Sequence, residues 1–487
     1  MKNISKDIFL NTIACPSLGW ILRSEDDIAQ LSYESLSLGE QFRMEQGAEI
    51  GRRARGLYPN GYLMSGRDLI TAAKETEALM RKSDTSVIFE ATFLVDDYAT
   101  KADILIKEGK GLHLFEVKSD TNDKPELLDD LAYTLMVINR AGYEISKASL
   151  LLISKDYRLG MEDRELFVQV DHTPDGLLRS IQFDTFWDLV KGQTAVASMP
   201  EPELLLECKK CQLLFDCMAK DVENHILEIP RLSQKKFEGL KELGIVRIED
   251  IPSTFELTSN QARVRNCVVT GEPWISGELG IALDVIKYPA FYLDFETVQT
   301  AIPLYPDIAP YTQIPTQYSI HKCEDVGKVL EHRDLICDHR KDSRRELAEN
   351  LIRDIENEGS IISYSSFEKT TINNLANLYF DLSDRLNALV NRIIDLEAII
   401  RQNFYHPDFH GSTSIKVTLP VLVPEMSYDE LQIREGGSAS AAFAYLALGK
   451  YEGEDGEKVK RDLLTYCAQD TMAMVRLHEN LSNICNK

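Results

Sequence analysis

Four side chains in the C-terminal part of the chain have the types and spacing of a metal-dependent hydrolytic site. Asp294 and Glu296 lie two apart at the end of an apolar run. Residues two apart on a strand point to the same face, so both carboxylates would be directed at one point. Two neighbouring carboxylates raise each other's pKa, so their negative charge needs compensation. Bound Mg²⁺ or Mn²⁺ ions usually provide it, and such ions are used for phosphodiester hydrolysis. Tyr466 and Asp470, four apart in a helical pattern, would add a water-orienting phenol and a third carboxylate.

A second set of candidate residues lies nearer the N-terminus. Asp103 opens one apolar strand pattern, and Glu116-Val-Lys118 ends the next. Glu116 and Lys118 share a strand face, and a hairpin would bring Asp103 beside them. Two carboxylates can hold a divalent metal, and the ammonium can position or activate the attacking water, with Glu49 or Glu90 as an additional acid. Alternatively, either acidic pair, taken alone, could consist of solvent-exposed carboxylates at the end of a strand that bind no metal.

Four cysteines form the third candidate site. Cys208, Cys211 and Cys217 are clustered, and Cys15 could supply a fourth thiolate. Four thiolates can hold a 4Fe-4S cluster or, as the alternative, tetrahedral Zn²⁺. A zinc ribbon more often has two Cys-x-x-Cys pairs, so one distant and three clustered cysteines favour the iron–sulfur cluster.

Composition limits the classes of protein that the chain can belong to. Its 487 residues suffice for two or three domains, and 44% hydrophobic with 27% charged residues is ordinary for a soluble globular protein. No apolar run approaches the ~20 residues of a membrane span, and no signal peptide is recognisable, so we expect a cytoplasmic protein without a membrane partner. The net charge of −24 argues against broad nonspecific nucleic-acid affinity. It does not exclude a nuclease, because bound metals supply local positive charge.

The periodicity of the chain predicts two α/β units joined by a helical connector. For the first unit it predicts four strands and a helix: Val87–Phe93, Ala102–Ile106, Leu112–Val117, helix Glu126–Asn139 and Ser149–Ile153. For the second it predicts three strands and two helices: Ala290–Asp294, Gln317–His321, Ser360–Tyr364, helix Arg344–Ile355 and helix Leu463–Asn483. The predicted domains are 1–220, 221–284 and 285–487, and the middle one contains a helix-hairpin-helix-like stretch around Leu240–Ile245.

The N-terminal acids, lysine and four cysteines together resemble the iron–sulfur RecB-type nucleases of the PD-(D/E)xK superfamily. The resemblance covers roughly residues 1–220 and implies a nuclease-type metal site. It also implies that a cluster ties the N-terminus to the end of the domain. Two positions depart from the family pattern. Glu49 stands where these nucleases often have a His, and the Gln-x-x-x-Tyr motif is matched only at Tyr133.

Residues 285–487 resemble the DEDD exonucleases of the ribonuclease-H-like fold. Asp294 and Glu296 match the first motif, and Tyr466 with Asp470 matches the third in its tyrosine form. Tyr364-Ser-Ser-Phe-Glu368 matches the second, with Glu368 as the acid. The resemblance implies two-metal hydrolysis, in which the tyrosine orients the attacking water. The whole chain resembles a bacterial family that joins these two nuclease types.

These resemblances imply a cytoplasmic, metal-dependent nuclease acting on DNA or RNA. The C-terminal domain would be a 3′→5′ exonuclease, and the N-terminal domain an iron–sulfur nuclease or a clamp for the strand. The alternative is a catalytically silent, iron–sulfur nucleic-acid-binding module. In either case the partners would be nucleic acid and the proteins of a repair or phage-defence assembly.

Overall fold

The computed structural model describes residues 1–24, 36–66, 68–109 and 111–486. The protein is mixed α/β, as the sequence predicts. It divides into two compact units, Met1–Glu203 with Gln299–Thr312 and Leu204–Val298 with Gln313–Lys487. Within the described ranges, no helix combines the length and apolar character that crossing a bilayer requires.

The first unit is built around a six-stranded sheet. Its strands follow chain order across the sheet: β1 (Tyr62–Leu63), β2 (Val87–Val95), β3 (Tyr98–Glu108), β4 (Gly111–Val117), β5 (Ile145–Ile153) and β6 (Phe167–Asp171). Its helices are α1 (Lys6–Ala14), α2 (Pro16–Ser24), α3 (Leu38–Gly56), α4 (Leu69–Arg81), α5 (Pro125–Arg140), α6 (Thr173–Asp184) and α7 (Trp187–Ala195).

The β3–β4 hairpin and the crossover that follows it position the N-terminal candidate residues. β3 and β4 are antiparallel, whereas β4 and β5 are parallel and are therefore joined by a crossover through α5. The helix begins with Pro125, which suits a first helical turn because that turn needs no N–H donor. Residues 131–138 of α5 are all buried. The packed helix fixes the carboxyl end of β4, where Glu116 and Lys118 lie.

The second unit contains a five-stranded sheet and a two-stranded one. Its strands are β7 (Trp274–Ile275), β8 (Ala290–Val298), β9 (Ile314–Asp325), β10 (Lys328–Ile336), β11 (Ile361–Ser363), β12 (Ile393–Asp395) and β13 (Phe404–Tyr405). Its helices are α8 (Gln234–Glu242), α9 (Ser259–Thr270), α10 (Leu279–Asp284), α11 (Arg344–Asp354), α12 (Phe367–Leu378), α13 (Ser383–Val390), α14 (Leu396–Asn403), α15 (Ile415–Leu422), α16 (Gly436–Ala447) and α17 (Gly453–Cys485).

The first strand of the larger sheet is also its central one. The order is β10-β9-β8-β11-β12, with β8 antiparallel to β9 and parallel to β11. Strand order thus reverses direction at β8, and in α/β sheets such a point opens a crevice outside the carboxyl ends of the strands. The long helix α17 packs against β8 and β9.

The predicted elements are confirmed where the apolar pattern is strong. The predicted hairpin, the other predicted strands and the closing helix are present, and most of them extend beyond the predicted ends. The strand predicted at Ser360–Tyr364 is shorter, Ile361–Ser363, and the helix predicted at Arg344–Ile355 ends at Asp354. Two strands of the larger sheet were not predicted. Lys328–Ile336 is a charged edge strand with mostly exposed residues, and Ile393–Asp395 is too short to show a period. The stretch predicted as a helix-hairpin-helix is α8, a turn at Gly244 with a φ of +69°, and a short 3₁₀ turn at Ile248–Asp250.

Candidate metal centre

Three carboxylates converge at the central strand of the larger sheet. Asp294, Glu296 and Asp470 each place one ligand atom so that the three atoms lie within 4.8 Å of one another. Among the described residues, they form the single group of three or more His, Cys, Asp or Glu side chains that meets this distance. Asp294 and Glu296 are half-buried on β8, and Asp470 is buried on α17. Two distant parts of the sequence therefore supply one acidic cluster.

Helix α17 is fixed to the sheet by polar contacts on both sides of Asp470. Gln317 Nε2 donates to the carbonyl oxygen of Leu463 at 3.0 Å. The thiol of Cys467 donates to Asp294 Oδ2 at 3.3 Å, and the Thr471 hydroxyl lies 2.8 Å from His321 Nδ1. These contacts set the position of the helix along β8, and hence the distance of its carboxylate from the strand carboxylates.

Glu368 approaches the cluster from the next parallel strand. It lies in the first turn of α12 and is buried, with 3% of its surface exposed. The turn before this helix holds Ser365 at a φ of 116°, a conformation that a non-glycine residue adopts only when its surroundings enforce it. Glu368 Oε2 is buried without a hydrogen-bond partner. A buried carboxylate oxygen without a donor is costly, and a bound cation would satisfy it.

Burial raises the pKa values of all four acids, and for three of them neighbouring carboxylates add to the shift. Burial raises the pKa of Glu296 and of Glu368 to about 8, and neighbouring carboxylates add to the shift. Burial and the charges of Asp470 and Glu296 raise the pKa of Asp294 well above its usual range. The pKa of Asp470 is raised to about 6 by burial, although hydrogen bonds from two tyrosines oppose the shift. Without a cation, the site therefore favours the protonated forms of these acids, and a bound cation would restore their charged forms.

Two tyrosines contact Asp470. Tyr466, one helical turn before it, is buried on the same face of α17. Tyr428, from the segment between α15 and α16, donates its hydroxyl proton to Asp470 Oδ1. The two rings lie 6.2 Å apart at an interplanar angle of 56°. The sequence indicated Tyr466, because it lies one helical turn before Asp470. It did not indicate Tyr428, because a residue 42 positions away has no regular spacing that would reveal the contact.

Two further groups complete the surroundings of the acids. Asp395, at the end of β12, accepts from the Ala398 N–H at 3.0 Å as the N-cap of α14. That capping contact gives it a structural role. Lys416 is exposed, and its charge lowers the pKa of both Glu296 and Asp470.

The donor set fits divalent ions that prefer oxygen. It offers three converging carboxylates, a fourth with an orphaned oxygen, and no histidine or thiolate among the converging ligand atoms. Mg²⁺ and Mn²⁺ take such oxygen ligands, whereas zinc sites are rich in nitrogen and sulfur.

The first unit brings together the N-terminal candidates. Asp103 Oδ2 accepts from the N–H of Val117 at 2.7 Å, and Lys118 Nζ lies 3.0 Å from Glu116 Oε1. Burial, followed by the charge of Glu116, raises the pKa of Asp103 to about 7. Glu116 is buried, and its Oε2 has no hydrogen-bond partner. These side chains therefore leave one carboxylate oxygen open to a cation.

Two residues not predicted from the sequence surround this glutamate. Lys6 Nζ, from the first turn of α1, lies 3.0 Å from Glu116 Oε1 and 3.3 Å from Asp130 Oδ2. Lys118 Nζ also donates to Asp130 Oδ2. Two ammonium groups and two carboxylates thus alternate, so Glu116 is already charge-compensated within the protein. Tyr133 does not join them, because its hydroxyl donates to the carbonyl oxygens of Ile4 and Ala99.

A cavity of about 270 Å³ adjoins Asp103. It is lined by residues of α3, β2, β3 and β4: Gly47, Ala48, Gly51, Arg55, Glu90, Asp103, Ile104 and Val117. Glu90 has a φ of 56° within β2, where a non-glycine residue is strained. Of the two additional acids proposed from the sequence, Glu90 is therefore beside Asp103. Glu49 is instead held by Arg52 and Arg53, whose hydrogen bonds lower its pKa to about 2.

The candidate cluster ligands fall in both units. Cys15 caps α1 in the first, whereas Cys208, Cys211 and Cys217 lie in the second. Tetrahedral zinc, with Zn–S bonds of about 2.3 Å, places its thiolates roughly 4 Å apart. No cysteine of the described ranges belongs to a three-ligand group within 4.8 Å. Both the iron–sulfur cluster and the zinc alternative therefore stay predictions.

Comparisons with known proteins report a family and two relatives. A family model described as "Domain of unknown function (DUF2779)" matches residues 291–414, which include Asp294, Glu296 and Glu368. The chain is similar to "Uncharacterized protein MG366" of Mycoplasma genitalium, with 24% identity over 213 residues, 39% of this chain and 32% of that protein. The corresponding homolog of Mycoplasma pneumoniae is 24% identical over 211 residues, with the same coverage. The chain thus spans 32% of the length of these relatives.

Proposed function

We propose that the second unit is a divalent-metal-dependent nuclease that removes nucleotides from a 3′ end of DNA or RNA. The observation that carries the proposal is the convergence of Asp294, Glu296 and Asp470 within 4.8 Å, beside the orphaned oxygen of Glu368. The sequence resemblance to DEDD exonucleases with a ribonuclease-H-like fold supports the same function. The first unit would be the RecB-like, PD-(D/E)xK-type half of the molecule.

The residues divide the work of phosphodiester hydrolysis among them. Asp294, Glu296, Asp470 and Glu368 would hold two Mg²⁺ or Mn²⁺ ions. When bound, such ions supply a water of lowered pKa and stabilise the leaving 3′ oxygen. The buried hydroxyl of Tyr466 would accept a hydrogen bond from the attacking water or donate one to it, and so orient it.

Charge explains how an acidic protein could accept a polyanion at this site. The net charge of −24 repels phosphate, so approach depends on the bound ions and on local cations. Lys416, exposed near Glu296 and Asp470, is suited to contact a substrate phosphate. Binding should therefore weaken steeply as salt concentration rises.

The decisive experiment is the degradation of end-labelled DNA and RNA oligonucleotides by the purified protein in Mn²⁺. We expect progressive shortening from the 3′ end, which a blocked 3′ terminus prevents and a blocked 5′ terminus does not. Asp294→Asn keeps the side-chain shape but removes the charge that holds the ions, so it should eliminate degradation. Asp429→Asn, at an exposed position of the same unit, is the matched control and should keep full activity.

An unchanged cleavage pattern in Asp294→Asn would overturn the proposal, because it would show that the strand carboxylates are structural. Endonucleolytic products from substrates blocked at both ends would instead assign the activity to another site. Loss of degradation in the Asp429→Asn control would show that the effect is not specific to the cluster.

A second candidate function applies to the first unit alone. Glu116 Oε1 is shared by Lys6 and Lys118, so this acid needs less compensation from a metal than the acids of the second unit do. That observation favours a catalytically silent nucleic-acid-binding module for this half, in a chain that would still carry the iron–sulfur cluster and would act in a repair or defence assembly. Nuclease activity that survives Asp294→Asn and depends on Lys118 would favour a second active site instead.

A further inference from the structure

The acidic site has a second phenol, Tyr428, which comes from a part of the chain remote from α17. It lies in the irregular segment between α15 and α16. Its hydroxyl donates to Asp470 Oδ1, and its ring lies 6.2 Å from that of Tyr466. A single carboxylate therefore has two phenols beside it, one from its own helix and one from a distant segment.

The segment that carries Tyr428 is attached to the surrounding structure on both sides of this residue. On one side, Gln469 Nε2 donates to the carbonyl oxygen of Ser427 at 3.0 Å. On the other, Lys416 Nζ donates to the carbonyl oxygen of Arg434 at 3.1 Å. The Tyr428 ring itself packs against the hydrophobic core of the unit. The hydroxyl thus reaches Asp470 from a held backbone.

The two oxygens of Asp470 consequently differ in their surroundings. Oδ1 accepts the Tyr428 hydroxyl, which restricts the rotation of the carboxylate, while lone pairs remain with which Asp470 can bind a metal. We propose that Tyr428 is a positioning residue of the metal centre, which orients the Asp470 carboxylate towards Asp294 and Glu296, while Tyr466 orients the attacking water. The role of Tyr466 rests on the proposed function, because it requires that water attacks a phosphodiester. The role of Tyr428 requires only that the acids bind metal ions.

The two roles leave different signatures. Hydrogen-bond partners that orient a metal ligand change metal affinity by about 10–100-fold when they are removed. A group that orients water or transfers a proton changes the rate by roughly 10²–10⁴-fold and has little effect on metal affinity. Removing one hydroxyl at a time therefore separates the two phenols.

The experiment compares Tyr428→Phe, Tyr466→Phe and the wild-type full chain. Calorimetric titration of the substrate-free proteins with MnCl₂ measures metal affinity, and oligonucleotide degradation measures kcat at saturating Mn²⁺. For Tyr428→Phe we expect about 10-fold weaker Mn²⁺ binding and a kcat within roughly threefold of wild type. For Tyr466→Phe we expect unchanged Mn²⁺ binding and a kcat that is lower by roughly 10²–10⁴-fold. Tyr451→Phe, whose ring packs 5.9 Å from Tyr445, is the control that should alter neither.

Each other outcome overturns the inference. Unchanged Mn²⁺ affinity in Tyr428→Phe would show that its hydroxyl does not position the ligand, and a loss of kcat there with intact affinity would exchange the two roles. A lower melting temperature of metal-free Tyr428→Phe, alongside weaker binding, would make the contact structural. If the wild-type protein degrades no nucleic acid at all, the proposed function fails, while the Mn²⁺ titrations still decide the role of Tyr428.

Discussion

Replacing Asp294 by Asn should stabilise the metal-free protein, although most substitutions of buried polar residues are destabilising. The ligand atoms of Asp294, Glu296 and Asp470 lie within 4.8 Å of one another. At an effective dielectric constant of about 20, two unit charges at that distance repel by about 3 kcal/mol. At pH 8 the wild type must either keep these charges together or bind a proton that the unfolded chain does not bind. An amide of the same shape avoids both costs and can still accept the hydrogen bond from the Cys467 thiol. We therefore expect Asp294→Asn to raise the free energy of unfolding at pH 8 by about 2–3 kcal/mol.

The pH dependence of this difference follows from the direction of the pKa shifts. The pKa of Glu296 is raised from 4.5 to about 8 in the folded protein, which means that folding favours the protonated carboxyl group over the charged one. The contribution of Glu296 to the free energy of unfolding is therefore fully present below pH 4.5 and is lost as the pH rises through 8. The metal-free wild-type protein should thus lose stability from pH 5 to pH 8. Asp294→Asn should lose less, so the gap between the two proteins should widen with pH.

Thermal unfolding in EDTA and in saturating Mn²⁺ tests both expectations. For a unit of this size, 2–3 kcal/mol corresponds to a rise in melting temperature of roughly 4–9 °C in EDTA. In Mn²⁺ the order should reverse, because the wild type gains about 4 kcal/mol at a metal concentration of 1,000 Kd and the variant lacks a ligand. Asp429→Asn should melt like wild type in both buffers. A lower melting temperature of Asp294→Asn in EDTA at pH 8 would refute the idea that the acids repel one another.

Three other predictions concern the first unit and the cysteines. Lys118→Ala should abolish any nuclease activity that survives Asp294→Asn. Its circular dichroism spectrum should match that of the wild type, because Lys6 still compensates the charge of Glu116. Unchanged residual activity would exclude an active site at Lys118. Glu49→Gln should change the free energy of unfolding by less than about 0.5 kcal/mol and leave residual activity unaltered, because Glu49 only pairs with exposed or half-buried arginines. Anaerobically purified protein should be brown, with about four irons and acid-labile sulfide, and Cys211→Ser should lose both colour and iron; stoichiometric zinc without iron would contradict this.

Local spacing accounts for what the sequence predicted well. Asp294 and Glu296 share a strand face because the side-chain period of a strand is two, and Tyr466 and Asp470 share a helix face because they are four apart. The hairpin that brings Asp103 to Glu116 is likewise a short-range feature, with antiparallel strands close together in the chain. These relations depend only on the type of secondary structure, which apolar periodicity indicates.

The residues that sequence reasoning missed contact the sites over long separations. Lys6 reaches Glu116 across 110 positions, and Tyr428 reaches Asp470 across 42. Each of these side chains has an ordinary sequence neighbourhood, so no period or motif marks it. The same holds for the short strand Ile393–Asp395, which pairs with β11 only once the sheet is assembled.

The sequence by itself determined the α/β class, the main elements and the pairs of acids that share a face. Only the tertiary structure decided that the acids of β8 and α17 meet, that Glu368 is buried with an oxygen lacking a partner, and that Glu116 is compensated by two lysines. The physical reason is that periodicity is a property of neighbouring residues. The distance between two carboxylates is set instead by how helices pack on a sheet, and therefore by contacts distributed over the whole unit.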